Sequence, residues 1–221
     1  MSQRETPLFE EGDPPVRGFV HEPAKASGDV VLLTHGAGGN SHSPLIVALS
    51  EALCGTGYTV LRFDLPFRQV RPHGPPSPSS ARRDQDGVRC AVAAMQSRCA
   101  GRVFVGGQSY GGRQITLAAA EDASLASALL LLSYPLHPPG QPARLRTDHF
   151  PRLRIPSLFV SGTADPFASQ RELAAAIAVI AARTGLVPIA DAGHSLLTKK
   201  NRDALPALIV VRFRAFVDQG R

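Results

Sequence analysis

A serine hydroxyl becomes a nucleophile only when a neighbouring base takes its proton. One stretch of this chain has the form that such a serine requires. In Val103-Phe104-Val105-Gly106-Gly107-Gln108-Ser109-Tyr110-Gly111-Gly112 an apolar strand runs into Gly-x-Ser-x-Gly and then into a helix. This is the pattern of a nucleophile elbow. A serine on so tight a turn takes unfavourable backbone angles, and Gly107 and Gly111 lack the β-carbons that would clash with strand and helix. The turn aims the hydroxyl at the N-terminus of the following helix, where developing negative charge is favoured. Without chemistry, the same residues read as a glycine-rich strand-to-helix turn.

Such a serine demands a histidine, and the histidine needs an acid to fix its tautomer. The expected chain order is serine, acid, histidine. Among seven histidines only His194, in Asp191-Ala192-Gly193-His194-Ser195, follows the last expected strand. It is the candidate general base. In Phe159-Val160-Ser161-Gly162-Thr163-Ala164-Asp165-Pro166 a buried strand ends on small residues and an aspartate. Asp165 is therefore the candidate acid, with a helix N-cap as its structural alternative. Asp191 is too near His194 in sequence, and the strand ending at Ser133 runs into Tyr134-Pro135 without an acid. Two backbone amides should face the oxyanion. Tyr110 supplies one, directly after the serine. Ala37 supplies the other, from the glycine-rich loop His35-Gly36-Ala37-Gly38-Gly39-Asn40. His35 itself is expected to hold that loop.

The elements that must position these groups alternate. Short apolar runs predict strands over 17–21, 30–34, 59–63, 102–106, 128–133, 156–161 and 186–190, with helical periodicity over 44–55, 82–99, 110–121, 168–184 and 205–219. Alternation of this kind predicts a single-domain α/β fold with a mostly parallel central sheet flanked by helices. Ser43 before Pro44 offers an N-cap, and Asp203 precedes the last helix. Length (221 residues) and composition (43% apolar, 19% charged) suit one globular domain, expected over 17–221 behind a polar segment 1–16. Two proline-rich stretches, 69–80 and 134–154, follow strand ends and are expected to form a ligand pocket.

The set His35-Gly36-Ala37-Gly38-Gly39, Gly107-Gln108-Ser109-Tyr110-Gly111-Gly112, Asp165-Pro166-Phe167 and Gly193-His194-Ser195 resembles the α/β-hydrolase superfamily, and within it the small bacterial dienelactone-hydrolase-like members. Three further segments resemble the hydrolase-like domain shared by a testis-expressed protein and a subunit of the chromatin NSL complex: Leu61-Arg62-Phe63-Asp64-Leu65-Pro66-Phe67, Ser133-Tyr134-Pro135-Leu136-His137-Pro138-Pro139-Gly140 and Leu145-Arg146-Thr147-Asp148-His149. The resemblance spans about residues 17–218. It implies an eight-stranded-type sheet, truncated here at its first edge, and neither metal nor organic cofactor. True dienelactone hydrolases carry cysteine where this chain has Ser109, so their substrate does not carry over. The short span between Ser133 and Ile155 leaves room for a minimal lid at most.

The expected function is a serine hydrolase, esterase- or thioesterase-like, acting on a small acyl ester. The alternatives are a non-catalytic scaffold keeping the fold, or a peptidase or perhydrolase. The proline-rich loops carry Arg68, Arg71, His73, His137, Arg144, Arg146 and His149, an expected cationic rim for an anionic ester. Arg113, a turn beyond Ser109, reads as a salt-bridge partner. Net charge is +6, and only Lys25, Lys199 and Lys200 of the 24 basic residues are lysine. The arginines are scattered, without an aromatic-interleaved stripe, so no nucleic-acid function is expected. Cys54, Cys90 and Cys99 lack metal-type spacing and suit a reducing compartment. With no apolar h-region or membrane-length run, a soluble cytoplasmic protein is expected.

Overall fold

Strands covered on both faces must be apolar throughout, and the central strands of this chain are. The computed structural model describes residues 4–219. Its strands are β1 (Arg4–Glu10), β2 (Val16–Glu22), β3 (Val30–Thr34), β4 (Thr59–Phe63), β5 (Val103–Gln108), β6 (Ala128–Leu132), β7 (Ser157–Gly162) and β8 (Thr184–Ile189). They form one sheet in the order β1-β2-β4-β3-β5-β6-β7-β8. Only β2 runs against its neighbours; the pairings from β4 to β8 are parallel. The reversal of order around β3 and β5 makes a switch point, where loops at strand ends open a crevice.

The helices are α1 (Pro44–Gly55), α2 (Pro66–Val70), α3 (Ala81–Gln96), α4 (Tyr110–Glu121), α5 (Gln170–Ile177) and α6 (Leu205–Asp218). Alternating strand residues face two cores. Val31, Leu33, Leu130 and Leu132 pack with α1 and α6. Val30, Leu32, Leu129 and Leu131 pack with α3, α4 and α5. Among the described residues no helix is long and apolar enough to cross a membrane.

Several local expectations change. The sheet is not truncated at its first edge: Arg4–Glu10 forms β1, paired along its length with β2. The helix expected over 168–184 is only Gln170–Ile177, begun by a Ser169/Glu172 capping box, and the chain is extended again from Thr184. Ser43 does not cap α1 with its side chain; its hydroxyl accepts from the Asn40 amide at 3.0 Å. Ala204, not Asp203, holds the N-cap position of α6.

Between β6 and β7 there is no inserted cap, only a 3₁₀ turn, Phe150–Arg152. This proline-rich segment is nevertheless tied down. Phe150 is fully buried against Tyr134 and Phe159, with ring centroids 5.2 and 6.0 Å away. The Tyr134 hydroxyl donates to the Arg146 carbonyl at 2.8 Å, and the Arg146 amide donates to the Leu136 carbonyl at 2.8 Å. His149 is buried, its Nε2 2.8 Å from Thr116 Oγ1 on α4. Burial, reinforced by Arg113 and Arg152, pushes its pKa down to about 4.

Two consequences are measurable. Phe150→Ala should lower unfolding free energy by about 3–5 kcal/mol, read from urea midpoints. His149 stays neutral in the folded protein down to about pH 4, whereas in the unfolded chain it takes up a proton near the ordinary histidine value. Its contribution is therefore level above about pH 6.5 and is lost as pH falls toward 4, by up to about 3 kcal/mol. Urea midpoints should fall less on acidification in His149→Gln than in the parent; equal falls would contradict this role.

Candidate active site

Ser109 stands between β5 and α4 at φ 50°, ψ −115°. It can do so because its neighbours are glycines. A β-carbon on Gly107 would lie 2.7 Å from the Gly112 nitrogen, and one on Gly111 would lie 2.5 Å from the His35 carbonyl oxygen. Non-glycine residues with positive φ in the described chain are Ser109, Ser133, Asp191 and Leu196, all in loops at the carboxyl ends of strands. Strain of this kind collects where a structure over-determines a site.

The same edge brings Asp165 and His194 to the serine. Asp165 follows β7 and His194 follows β8, whose adjacent loops are joined by an Ala164 amide to Ala192 carbonyl bond of 3.0 Å. His194 Nδ1 lies 2.9 and 3.0 Å from the two Asp165 carboxylate oxygens, and Nε2 lies 2.8 Å from Ser109 Oγ. The buried Asp165 carboxylate accepts a hydrogen bond from Nδ1–H, leaving Nε2 to accept from the serine. Asp165 also accepts from the Phe167 amide at 2.9 Å, and the Phe167 ring stacks beside His194 at 4.1 Å. Nothing in the sequence points to this ring contact beyond the Asp165-Pro166-Phe167 segment itself.

A cleft of about 1060 Å³ opens over Ser109 and His194, and Ala37 and Tyr110 line it too. Tyr110 is the first residue of α4, so its amide has no partner within the helix. Its hydroxyl donates to Asp84 at 2.6 Å, while the Phe67 amide donates to the other Asp84 oxygen at 2.9 Å. Burial raises the pKa of both Asp84 and Tyr110. The Ala37 loop is held from beneath by His35, whose Nε2 accepts from the Leu65 amide at 3.2 Å and whose Nδ1 sits 2.8 Å from the Gly36 carbonyl. Burial pushes the His35 pKa down, so the ring is neutral with its proton on Nδ1.

The expected rim separates into different roles. Arg68 is not a rim residue: it is buried and donates to the carbonyls of Ala37 and Gly39 at 2.7 Å and of Arg71 and Gly74 at 3.0 Å. It braces the Ala37 loop instead. Arg71 and His73 are exposed and lie off the cleft. His137 is buried, its Nδ1 2.8 Å from the Pro138 carbonyl, and His149 is buried against Thr116. Arg144 and Arg146 do line the cleft, as do Pro75, Pro76, Pro78 and Pro135 from both proline-rich stretches. Arg113 also lines it, and among the described residues it makes no salt bridge, contrary to expectation. Its position one helical turn after Ser109 was the available signal. Among the described residues no three His, Cys, Asp or Glu side chains are grouped to hold a metal.

Comparison with solved structures agrees with this architecture. A dienelactone hydrolase from Anabaena variabilis superposes with TM-score 0.76 at 21% identity, covering 98% of this chain and 99% of that one. An α/β serine hydrolase without lid from Xanthomonas campestris gives 0.75 at 19%, covering 97% and 96%. Est1E from Butyrivibrio proteoclasticus, solved with ferulic acid bound, gives 0.78 at 16%, covering 96% and 99%. At these identities the likeness establishes the fold. The family model for the alpha/beta hydrolase domain matches residues 27–210, most of the chain, and this protein therefore belongs to the alpha/beta hydrolase family.

Proposed function

We propose that this protein is a serine hydrolase that cleaves a small acyl ester or thioester through an acyl-enzyme. The observation that carries the reading is the unbroken hydrogen-bonded chain from Ser109 through His194 to Asp165. Ser109 Oγ attacks the carbonyl carbon as its proton passes to His194 Nε2. The resulting oxyanion is met by the amides of Ala37 and Tyr110. Collapse breaks the carbon–heteroatom bond, and His194 gives its proton to the leaving alkoxide or thiolate. Water then repeats the sequence on the acyl-serine, with His194 again as base. Asp165 holds the imidazole in the required tautomer and stabilises its cationic form. The serine hydrolase descriptions of structural neighbours support this reaction class. An open cleft without a cap suits short acyl groups.

A fluorophosphonate probe should label Ser109 in the native protein, and labelling should disappear in Ser109→Ala and His194→Ala. Absence of labelling in folded protein would instead favour a scaffold that keeps the fold.

Arg68 braces the loop that presents the Ala37 amide, and deletion of one oxyanion donor lowers turnover by about 10²–10³. Arg68→Met should therefore lower kcat on a short ester by about tenfold or more, up to that limit, with a smaller change in KM. Urea midpoints of the variant separate this effect from loss of fold.

A further inference from the structure

Among the described residues, the cleft around Ser109 is lined by three guanidinium groups and no carboxylate. Arg113, Arg144 and Arg146 line it, while neither Asp nor Glu does. The same three side chains border an adjoining cavity of about 380 Å³, which also holds His149, Arg152 and the exposed Asp148. Elsewhere several arginines pair with acids, among them Arg62 with Glu5, Arg82 and Arg89 with Glu121, Arg98 with Glu10 and Arg102 with Asp29, and the buried Arg68 is satisfied by carbonyls. Among the described residues, none of the cleft arginines makes an ion pair or a side-chain hydrogen bond. Arg113 Nε is buried without an acceptor.

Crowding three unpaired cations works against folding. Burial, with Arg113 and Arg144 close by, pushes the Arg146 guanidinium below the usual arginine range. A buried N–H without an acceptor is a further loss. Yet the backbone of this segment is held firmly: the Arg146 carbonyl accepts from Tyr134, its amide donates to Leu136, and the Arg144 amide donates to Gln141. On the opposite side, the Arg113 amide donates to the Ser109 carbonyl at 3.0 Å, so this cation starts one helical turn, about 5 Å, from the nucleophile. Positioned cations lacking a protein counter-charge, in a cleft open to ligand, match an anion that arrives with the substrate.

Building on the hydrolase reading above, we propose that Arg113, Arg144 and Arg146 form a subsite for a second, anionic group of the substrate, so that the ester or thioester cleaved at Ser109 also carries a carboxylate or a phosphate. The subsite lies beside the scissile bond, within the reach of one arginine side chain from the nucleophile's helix. Short bifunctional substrates therefore fit it better than long neutral acyl chains.

The test compares anionic esters with neutral isosteres in the same protein. Mono-4-nitrophenyl adipate is set against its methyl ester, which places charge on the acyl half. On the leaving half, 4-acetoxybenzoate and 4-acetoxyphenyl phosphate are set against 4-acetoxybenzamide, separating carboxylate from phosphate. At least one charged member should exceed its neutral partner in kcat/KM by about ten- to a hundredfold, the range of a charge-assisted contact. That ratio should shrink toward one in the Arg113→Gln/Arg144→Gln/Arg146→Gln variant and with added salt. Because each ratio is taken within one protein, general damage cancels. Ratios near one for every pair, or a ratio unchanged in the triple variant, would overturn the subsite.

Calorimetric titration of Ser109→Ala with phenyl phosphate and with adipate tests the arginines without turnover. Binding that is lost on replacing the three arginines supports the proposal, and binding indifferent to them overturns it. Failure of fluorophosphonate labelling and of neutral-ester turnover would count against the hydrolase reading alone.

Discussion

Around Ser109 three stretches of backbone come into direct contact: the end of β5, the first turn of α4 and the loop that follows β3. The approach is so close that a single added carbon blocks it, since a β-carbon on Gly111 would sit 2.5 Å from the His35 carbonyl oxygen and one on Gly112 would sit 2.8 Å from that of Gly107. Within this space Ser109 is held in a backbone conformation unfavourable by about 1–3 kcal/mol. The pairing of β5 with β3 and β6 supplies the restraint, extended by the Ser109 amide donating to Leu132 at 2.8 Å. Strain at one residue is affordable when two parallel ladders fix its strand. The same packing sets the loop after β3 beside Ser109: a β-carbon on Gly36 would lie 3.4 Å from that of the serine.

A glycine-rich loop does not hold its shape by itself, and the polar groups beneath it account for why this one does. Arg68 takes the carbonyls of Ala37 and Gly39, and His35 links the loop to the Leu65 amide. One residue further, the Ser41 amide donates to Asp64 at 2.6 Å, and Arg62 Nη1 donates to the Ser41 carbonyl at 2.8 Å. Arg62 Nε in turn donates to His21 Nε2 at 3.0 Å, an acceptor kept neutral by burial. Glu5 completes the set by pairing with Arg62 at 2.7 Å. Thus the edge strand β1, remote from the cleft, supplies the counter-charge for an arginine that orders its loop. Buried backbone groups must find partners, and here side chains provide what a ladder cannot.

What was legible in the sequence follows the same division. Ser109, Asp165 and His194 each sit at a strand end marked by small residues, so spacing alone placed them on one edge of the sheet. The structure puts the three within hydrogen-bonding distance. β1 was missed because Arg-Glu-Thr-Pro-Leu-Phe-Glu buries only Leu8, the weak pattern of an outer strand. The helix expected over 168–184 stops at Ile177 although alanine continues past it, because pairing with β7 makes 184–189 the strand β8. Arg68, His137 and His149 were read by charge type. Whether such a group faces solvent or a set of carbonyls depends on how its loop folds back, which local sequence does not reveal.

Arginine itself shows the limit of composition most clearly. One population in this chain balances acids on the outer faces of helices and strands, as in the Arg82, Arg89 and Glu121 cluster between α3 and α4. A second is spent internally on backbone carbonyls, with Arg68 as the example. A third, in the cleft, makes no ion pair among the described residues. Each arginine adds the same unit charge to a net of +6, yet only the third population leaves an electrostatic field directed at a ligand. Unfavourable among themselves, these guanidinium groups become favourable together when an anion binds between them. Binding would therefore relieve repulsion as well as add contacts, and selectivity for charge would arise from the unliganded state as much as from the liganded one.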